Sequence, residues 1–413
     1  MPYPTLKKLF YADSSNRRFE NRESEAARRL NAPSTFRTGI RLEHGELFCA
    51  VPRELSALSE QVLCRERRIE ALCRRLPGAA LGSFIRSLIL DEVECSNEME
   101  GVRSTREQVR LALKEAERRT SDLAGAAEKP HPLFMEFAQL YLVLSKNPVP
   151  PQTLEEIRAV YDAVVRDSLD RRDALGDGTL FRTGPVVIEK RGGKVVHAGV
   201  APAQIEGLMR QMLELSDSDE MPRLYSAALC HFLFEYIHPF YDGNGRTGRY
   251  LLAANLSEVL SQVTVLSLCR VISQNKARYY KAFDEAENRF NAAEGTHFVM
   301  MLLELVVMAQ EELIADLEEK HTRLAAIQSC LVKLGEKYSP RELDLLFYAA
   351  QTELYALPGG VEQREAADRL GISAPTARLL LRGLVDKGML QKTSGRPARY
   401  ALTPAAKTVL DLE

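Results

Sequence analysis

Apolar residues recur every three to four positions from Pro52 to Leu113, from Ala227 to Ile237 and from Tyr250 to Leu260. That period predicts helices with a buried face. Two β-rich runs between Phe181 and His197 meet at Gly192-Gly193, a pair suited to a two-residue hairpin loop. From Gln363 to Leu390 the pattern predicts helix, tight Gly371-Ile372-Ser373 turn, helix. Ser373 can cap the second helix, Pro375 fits its first turn, Leu380, Leu381 and Leu384 can face a core, and Gly388 ends it. Gln391 to Ala401 predicts a second hairpin, with Arg396 and Arg399 near its tip. The fold class is therefore mainly α, with two short β elements.

Segmentation follows from the breaks in this pattern. At 413 residues the chain exceeds one core, so two to four domains are expected. Residues 10 to 40, rich in Arg, Ser, Asn and Glu, predict a loose arm. Asp122 to Pro132 predicts a linker, and another boundary falls near Gly335 to Pro340. The expected partition is 1–75 without an assigned role, 76–131 helical, 132–320 a central core and 336–413 a C-terminal domain. There is no internal repeat.

Composition narrows the class. Hydrophobic content of 45% and charged content of 27% are those of globular chains. Seven cysteines scattered from Cys49 to Cys330, without C-x-x-C, fit neither a disulfide framework nor a zinc site and favour a reducing cytosol. The first thirty residues lack an apolar signal region, and no apolar run of about twenty residues is present, so a cytoplasmic protein without membrane partners is expected. A net charge of −2 excludes a strong polyanion footprint for the whole chain. Arg364 to Glu413, with nine Lys/Arg against five Asp/Glu, is mildly basic.

The densest chemistry lies in His238-Pro-Phe-Tyr-Asp-Gly-Asn-Gly-Arg-Thr-Gly-Arg249. His238 can take a proton near neutral pH, and Asp242 is a hard oxygen ligand for a divalent cation four residues on. Gly243-Asn244-Gly245-Arg246 frees the backbone to turn N–H groups inward at a helix start, where phosphates bind. Arg246 and Arg249 lie about one helical turn apart, so both can reach a polyphosphate. Asp-Gly and Asn-Gly usually mark hairpins, but both flanks are helical. An EF-hand loop fails because Arg246, Thr247 and Ala253 occupy ligand and Gly positions. A P-loop fails because Arg249-Tyr250 replaces Lys-Ser/Thr and a helix precedes the loop. The segment reads as a nucleoside triphosphate site.

This run resembles the signature His-x-Phe-x-Asp/Glu-Gly-Asn-Gly-Arg-x-x-Arg of Fic-domain proteins at every fixed position. The resemblance implies a helical Fic core at 132–320 and transfer of a nucleoside monophosphate, usually AMP from ATP, to a Ser, Thr or Tyr hydroxyl of a target protein, the chain itself being one candidate. It implies His238 as base, Asp242 as magnesium ligand, and the 243–246 backbone with Asn244 as phosphate cradle. Arg246 and Arg249 would serve the β- and γ-phosphates. Gly245 sets the chain apart from related Doc-type kinases, which carry a bulkier residue there. Ser96-x-x-x-Glu100-Gly101 resembles the family's inhibitory motif, implying that Glu100 pairs with Arg249 and blocks productive ATP binding. The 181–197 hairpin resembles the flap that pairs with a target segment. Asn275, Tyr279 and Tyr280 match nucleobase-pocket positions, while His231 is better read as a satisfied core histidine. The C-terminus resembles a winged helix-turn-helix, with Thr376, Arg378 and Arg382 toward DNA or, equally, a face for a homodimer or another protein. The alternatives are a DNA-binding regulator with a nucleotide-sensing core, and an enzyme that removes AMP with Glu100 orienting water.

Overall fold

The computed structural model describes residues 3–121, 132–146, 149–176, 178–190, 194–354, 360–395 and 398–412. Contacts group the chain into two units, one formed by residues up to Arg67 with Ser87–Glu311, the other by Arg68–Arg86 with Glu312–Glu413. Among the described residues no helix is long and apolar enough to cross a membrane. The chain is mainly helical, with three small antiparallel sheets.

In chain order the first elements are α1 (Leu6–Ala12), α2 (Arg18–Leu30) and the hairpin β1 (Thr35–Leu42) with β2 (Gly45–Ala50). Helices α3 (Arg53–Arg74), α4 (Gly78–Met99), α5 (Arg106–Ser121), α6 (Met135–Leu144) and α7 (Leu154–Val165) follow. The loose arm expected over residues 10 to 40 is instead ordered. Arg29 is 3% exposed and pairs with Glu294 at 2.9 Å, and Glu294 also accepts from the Tyr3 hydroxyl at 2.7 Å. Arg28 pairs with Glu25 one turn away. The charged composition that suggested an arm is consumed by pairs along and beneath α2. Thr153 and Glu156 close a capping box at the start of α7.

Next come the hairpin β3 (Val187–Lys190) and β4 (Lys194–Ala198), then α8 (Pro202–Asp217), α9 (Arg223–Ile237) and α10 (Asn244–Leu256). The Gly192-Gly193 loop, and all but Pro132 of the linker expected over Asp122 to Pro132, lie outside the described residues. The short α11 (Gln262–Val265) and α12 (Leu268–Gln274) lead to α13 (Lys276–Ala286) and the long α14 (Thr296–Leu334). The apolar period read in α9 has its reason here: Leu224 to Phe234 is buried along its whole length. That burial fixes the helix end from which His238 projects.

The second unit contains α15 (Pro340–Leu354), β5 (Val361–Glu362), α16 (Gln363–Leu370), α17 (Ala374–Asp386), β6 (Leu390–Gly395), β7 (Ala398–Leu402) and α18 (Pro404–Val409), with sheet order β5-β7-β6. The turn between α14 and α15 lies inside this unit, so the boundary expected near Gly335–Pro340 is a turn and not a division between units. Ser373 caps α17 by accepting from the Thr376 N–H, and Leu381 and Leu384 are fully buried. Leu380 packs partly buried against the same core. Gly388 follows α17 with a positive φ of 72°. Arg396 is outside the described residues, and Arg399 bonds Glu362 at 3.3 Å instead of standing free at a tip.

Candidate active site

His238 caps α9 in the left-handed region (φ 52°), its N–H donating to Phe234 O at 3.0 Å. A non-glycine residue there is uncommon and must be held by its surroundings. Burial, then the nearby His197, push the imidazole pKa down to about 4. It is therefore neutral at physiological pH and free to accept a proton. The bond between Nδ1 and Glu235 O (3.3 Å) requires the proton on Nδ1, which leaves the Nε2 lone pair open.

The loop from Pro239 to Gly243 is tied down by Asn244. Its carboxamide accepts from Phe240 N–H at 3.0 Å and donates to Phe240 O at 2.8 Å. The Asn244 side chain is thus committed to bracing the loop, and only its backbone is left for a cradle. Gly243 has φ 80°, and a Cβ there would overlap Val165 and lie 3.3 Å from the Tyr161 ring. Gly245 has no room either, since a Cβ would overlap Glu100 Oε1 and lie 2.8 Å from its Cδ.

The two signature arginines face different neighbours. Arg246 is fully buried and donates from Nη1 to Ser168 Oγ at 2.6 Å, with Asp242 at 3.8 Å. Its Nε and Nη2 have no hydrogen-bond partner among the described residues. Buried N–H groups without acceptors are costly, and a bound anion would satisfy them. Each Arg249 nitrogen is engaged: Nε donates to Ser96 Oγ (3.1 Å), Nη2 to Ser96 O (2.8 Å) and Nη1 to Glu100 Oε1 (2.7 Å). Burial penalises the Glu100 carboxylate, but the Arg249 charge and hydrogen bond outweigh this and hold its pKa below the ordinary value. Gly101 (φ 72°) ends α4 just after Glu100, and Lys276 Nζ donates to Met99 O at 2.7 Å, capping the same helix.

A cavity of about 310 Å³ opens between these groups, lined among others by Glu100, His238, Gly245, Arg249, Tyr279 and Tyr280. It gathers residues from just past the end of α4, from the end of α9, and from α10 and α13. Asn275 is not among its lining residues; its amide donates to Val271 O at 2.9 Å across the junction of α12 and α13. Tyr279 is only 2% exposed and its hydroxyl meets His231 Nε2 at 2.6 Å. His231 also meets Gly248 O at 3.1 Å, and burial, then the Arg249 charge, lower its pKa to about 3, as befits a core histidine. Asp242 is half exposed, and no group of three or more His, Cys, Asp or Glu among the described residues could hold a metal. A lone carboxylate suits magnesium, which takes one or two protein oxygens and shares the rest with phosphates and water.

Sequence reasoning missed several groups at this site. Glu235 lines the cavity with Oε1 unpartnered among the described residues, and burial first of all raises its pKa to about 7. Its place one turn before His238 on α9 was the available signal. His197 on β4 also lines the cavity, with Nδ1 at 2.8 Å from Glu287 Oε2. No spacing rule links positions 197, 238 and 287.

Residues 151–256 match the family model described as Fic/DOC family. A probable protein adenylyltransferase, aq_aa38, from Aquifex aeolicus (strain VF5) is 37% identical over 87 residues, 21% of this chain. The chain spans about a quarter of that curated relative's length, 25%. The crystal structure of a Fic family protein from Desulfovibrio desulfuricans G20 superposes with TM-score 0.52 at 20% identity, over 86% of this chain and 97% of that one. Fic-1 from C. elegans gives TM-score 0.49 at 16% identity, over 76% and 81%. A helical fold with a glycine loop between two helices, and a buried histidine at its head, is the class these features define. The chain contains a Fic/DOC domain.

Proposed function

We propose that this chain is a nucleotidyltransferase that moves AMP from ATP to a Ser, Thr or Tyr hydroxyl of a protein, and that Glu100 restrains it. The observation carrying this reading is the engaged Arg249 beside a neutral His238 across one cavity. In this scheme the hydroxyl oxygen attacks the α-phosphorus, its proton passes to His238 Nε2, the bond to the β-phosphate oxygen breaks and pyrophosphate leaves. The Arg246 N–H groups without acceptors suit phosphate oxygens, and phosphoryl-type transfer depends chiefly on such positioning and charge neutralisation. Asp242 would hold magnesium, which supplies further neutralisation of the triphosphate. Arg249 becomes available to a terminal phosphate only when Glu100 withdraws, and separating a buried ion pair costs about 3–5 kcal/mol. The Aquifex aeolicus relative, a probable protein adenylyltransferase, agrees with this activity.

The test incubates labelled ATP with wild type, Glu100→Gly and the double variant Glu100→Gly/His238→Ala, following label on the protein itself and on lysate proteins. Glu100→Gly is expected to label more than tenfold faster than wild type. Adding His238→Ala is expected to remove about 10²–10⁴-fold of that rate. Equal labelling by all three proteins overturns the reading.

A second reading, a DNA-binding regulator, is favoured by the outer face of α17, where Arg378, Leu379 and Arg382 are exposed. Retarded migration of labelled genomic fragments, lost on removing both arginines, would support it.

A further inference from the structure

We propose that Arg182 is a positioning residue for the base His238, bolting both roots of the β3–β4 hairpin to the end of α9. This rests on the transfer reading above. Arg182 is 2% exposed and stands just before the hairpin. Its Nε donates to His238 O at 2.7 Å, Nη1 to Gly184 O at 2.7 Å, and Nη2 to Val200 O at 2.7 Å and Ile237 O at 3.3 Å. Gly184 lies ahead of β3 and Val200 after β4, so one planar fork grips three main-chain segments. The Arg182 N–H also donates to Pro239 O at 3.0 Å, on the other side of the histidine.

Those side-chain bonds all end on neutral carbonyls. A buried cation held this way is a costly way to fill space, whereas a rigid guanidinium gives direction to each partner. Direction is what His238 needs. Its positive φ is unfavourable for a residue with a side chain and persists only where the surroundings over-determine it. The packing leaves little slack. A Cβ on Gly199 would lie 2.6 Å from Arg182 Nη2, 2.8 Å from Val186 Cγ1 and 3.1 Å from His238 Cβ. Tyr241, in the histidine loop, accepts the Gly184 N–H at 2.8 Å and closes the clamp from the far side. An imidazole displaced by about 1 Å costs on the order of 10²-fold in rate.

The experiment places Arg182→Lys and Arg182→Met in the Glu100→Gly background. It measures the self-labelling rate at saturating ATP per folded molecule, the ATP concentration at half-maximal rate, and the His238 titration by NMR. Lysine keeps the charge but lacks the fork. The expected result is a fall of about 10²-fold in saturated rate for both variants, with half-maximal ATP within about twofold of the parent. The charged groups facing His238 are Arg182, His197 on β4 and Glu100 after α4. Since Arg182 helps depress the histidine, Arg182→Met should move its titration midpoint up from about 4. An unchanged saturated rate per folded molecule in both variants overturns the proposal. If Glu100→Gly itself fails to label, the transfer reading falls, and His238 ring chemical shifts left unchanged by both Arg182→Lys and Arg182→Met then sink the positioning role independently.

Discussion

Arg246 and Arg249 on α10, and Arg378 and Arg382 on α17, are two arginine pairs at roughly one-turn spacing in opposite settings. The α10 pair is 0% and 2% exposed, one guanidinium short of acceptors and the other engaged at each nitrogen by Ser96 and Glu100. The α17 pair stands in solvent beside Leu379, which is 69% exposed. A buried guanidinium needs fixed acceptors, because leaving N–H groups without partners in a desolvated site is expensive. An exposed one offers charge to any polyanion and loses most of it to salt. On the reading proposed above, the first pair serves one ligand and the second a surface.

The sharpest way to break this contrast is Arg246→Met in the Glu100→Gly background. Labelling should fall by about 10²–10³-fold, the scale of losing a preorganised donor, while the melting temperature stays level or rises because unpartnered N–H groups are removed. A protein that melts several degrees lower yet labels normally would make Arg246 a structural residue and dissolve the distinction. A smaller effect is expected from Glu235→Gln. The Glu235 carboxyl, facing Glu100, Arg249 and His197, has its pKa raised to about 7 by burial above all. The folded state then holds a proton that the unfolded state has lost, so wild-type stability falls as pH rises from about 4.5 to 7. Glutamine removes that loss, so the melting-temperature gain of the variant should grow between pH 5 and pH 7; a constant gap contradicts it. The smallest change belongs to Arg378→Ala with Arg382→Ala. Stability should stay within about 0.5 kcal/mol and labelling should be unaltered, with DNA retardation alone reduced. A drop in labelling would show that the α17 face serves the chemistry.

How much was legible in the sequence varied with the kind of information each feature carries. The helix, glycine loop, helix order around His238 was readable because it depends on local spacing, and the buried ladder of α9 bears it out. The cap at Ser373 and the turn at Gly388 were readable for the same reason. Residues 10 to 40 misled because their charges find partners such as Glu294, more than 250 positions away. His197, Glu287 and Arg182 were invisible for a related reason: they meet the site only through tertiary packing. Asn244 and Asn275 were expected in the phosphate cradle and the nucleobase pocket, whereas their amides satisfy main-chain groups, a use that residue type alone does not distinguish from ligand binding.

If Glu100 restrains transfer as proposed, the crowding above Gly245 limits how that restraint could be relieved. Any side chain there would press on Glu100 and pry the brake loose, yet it would intrude at the same stroke on the helix start where an anion should rest. Constitutive mutants arising at this position would therefore be idle ones. Gain of function has to be sought along α4, in residues that hold the carboxylate forward, and Lys276 beneath its last carbonyls is a natural place for a screen to look.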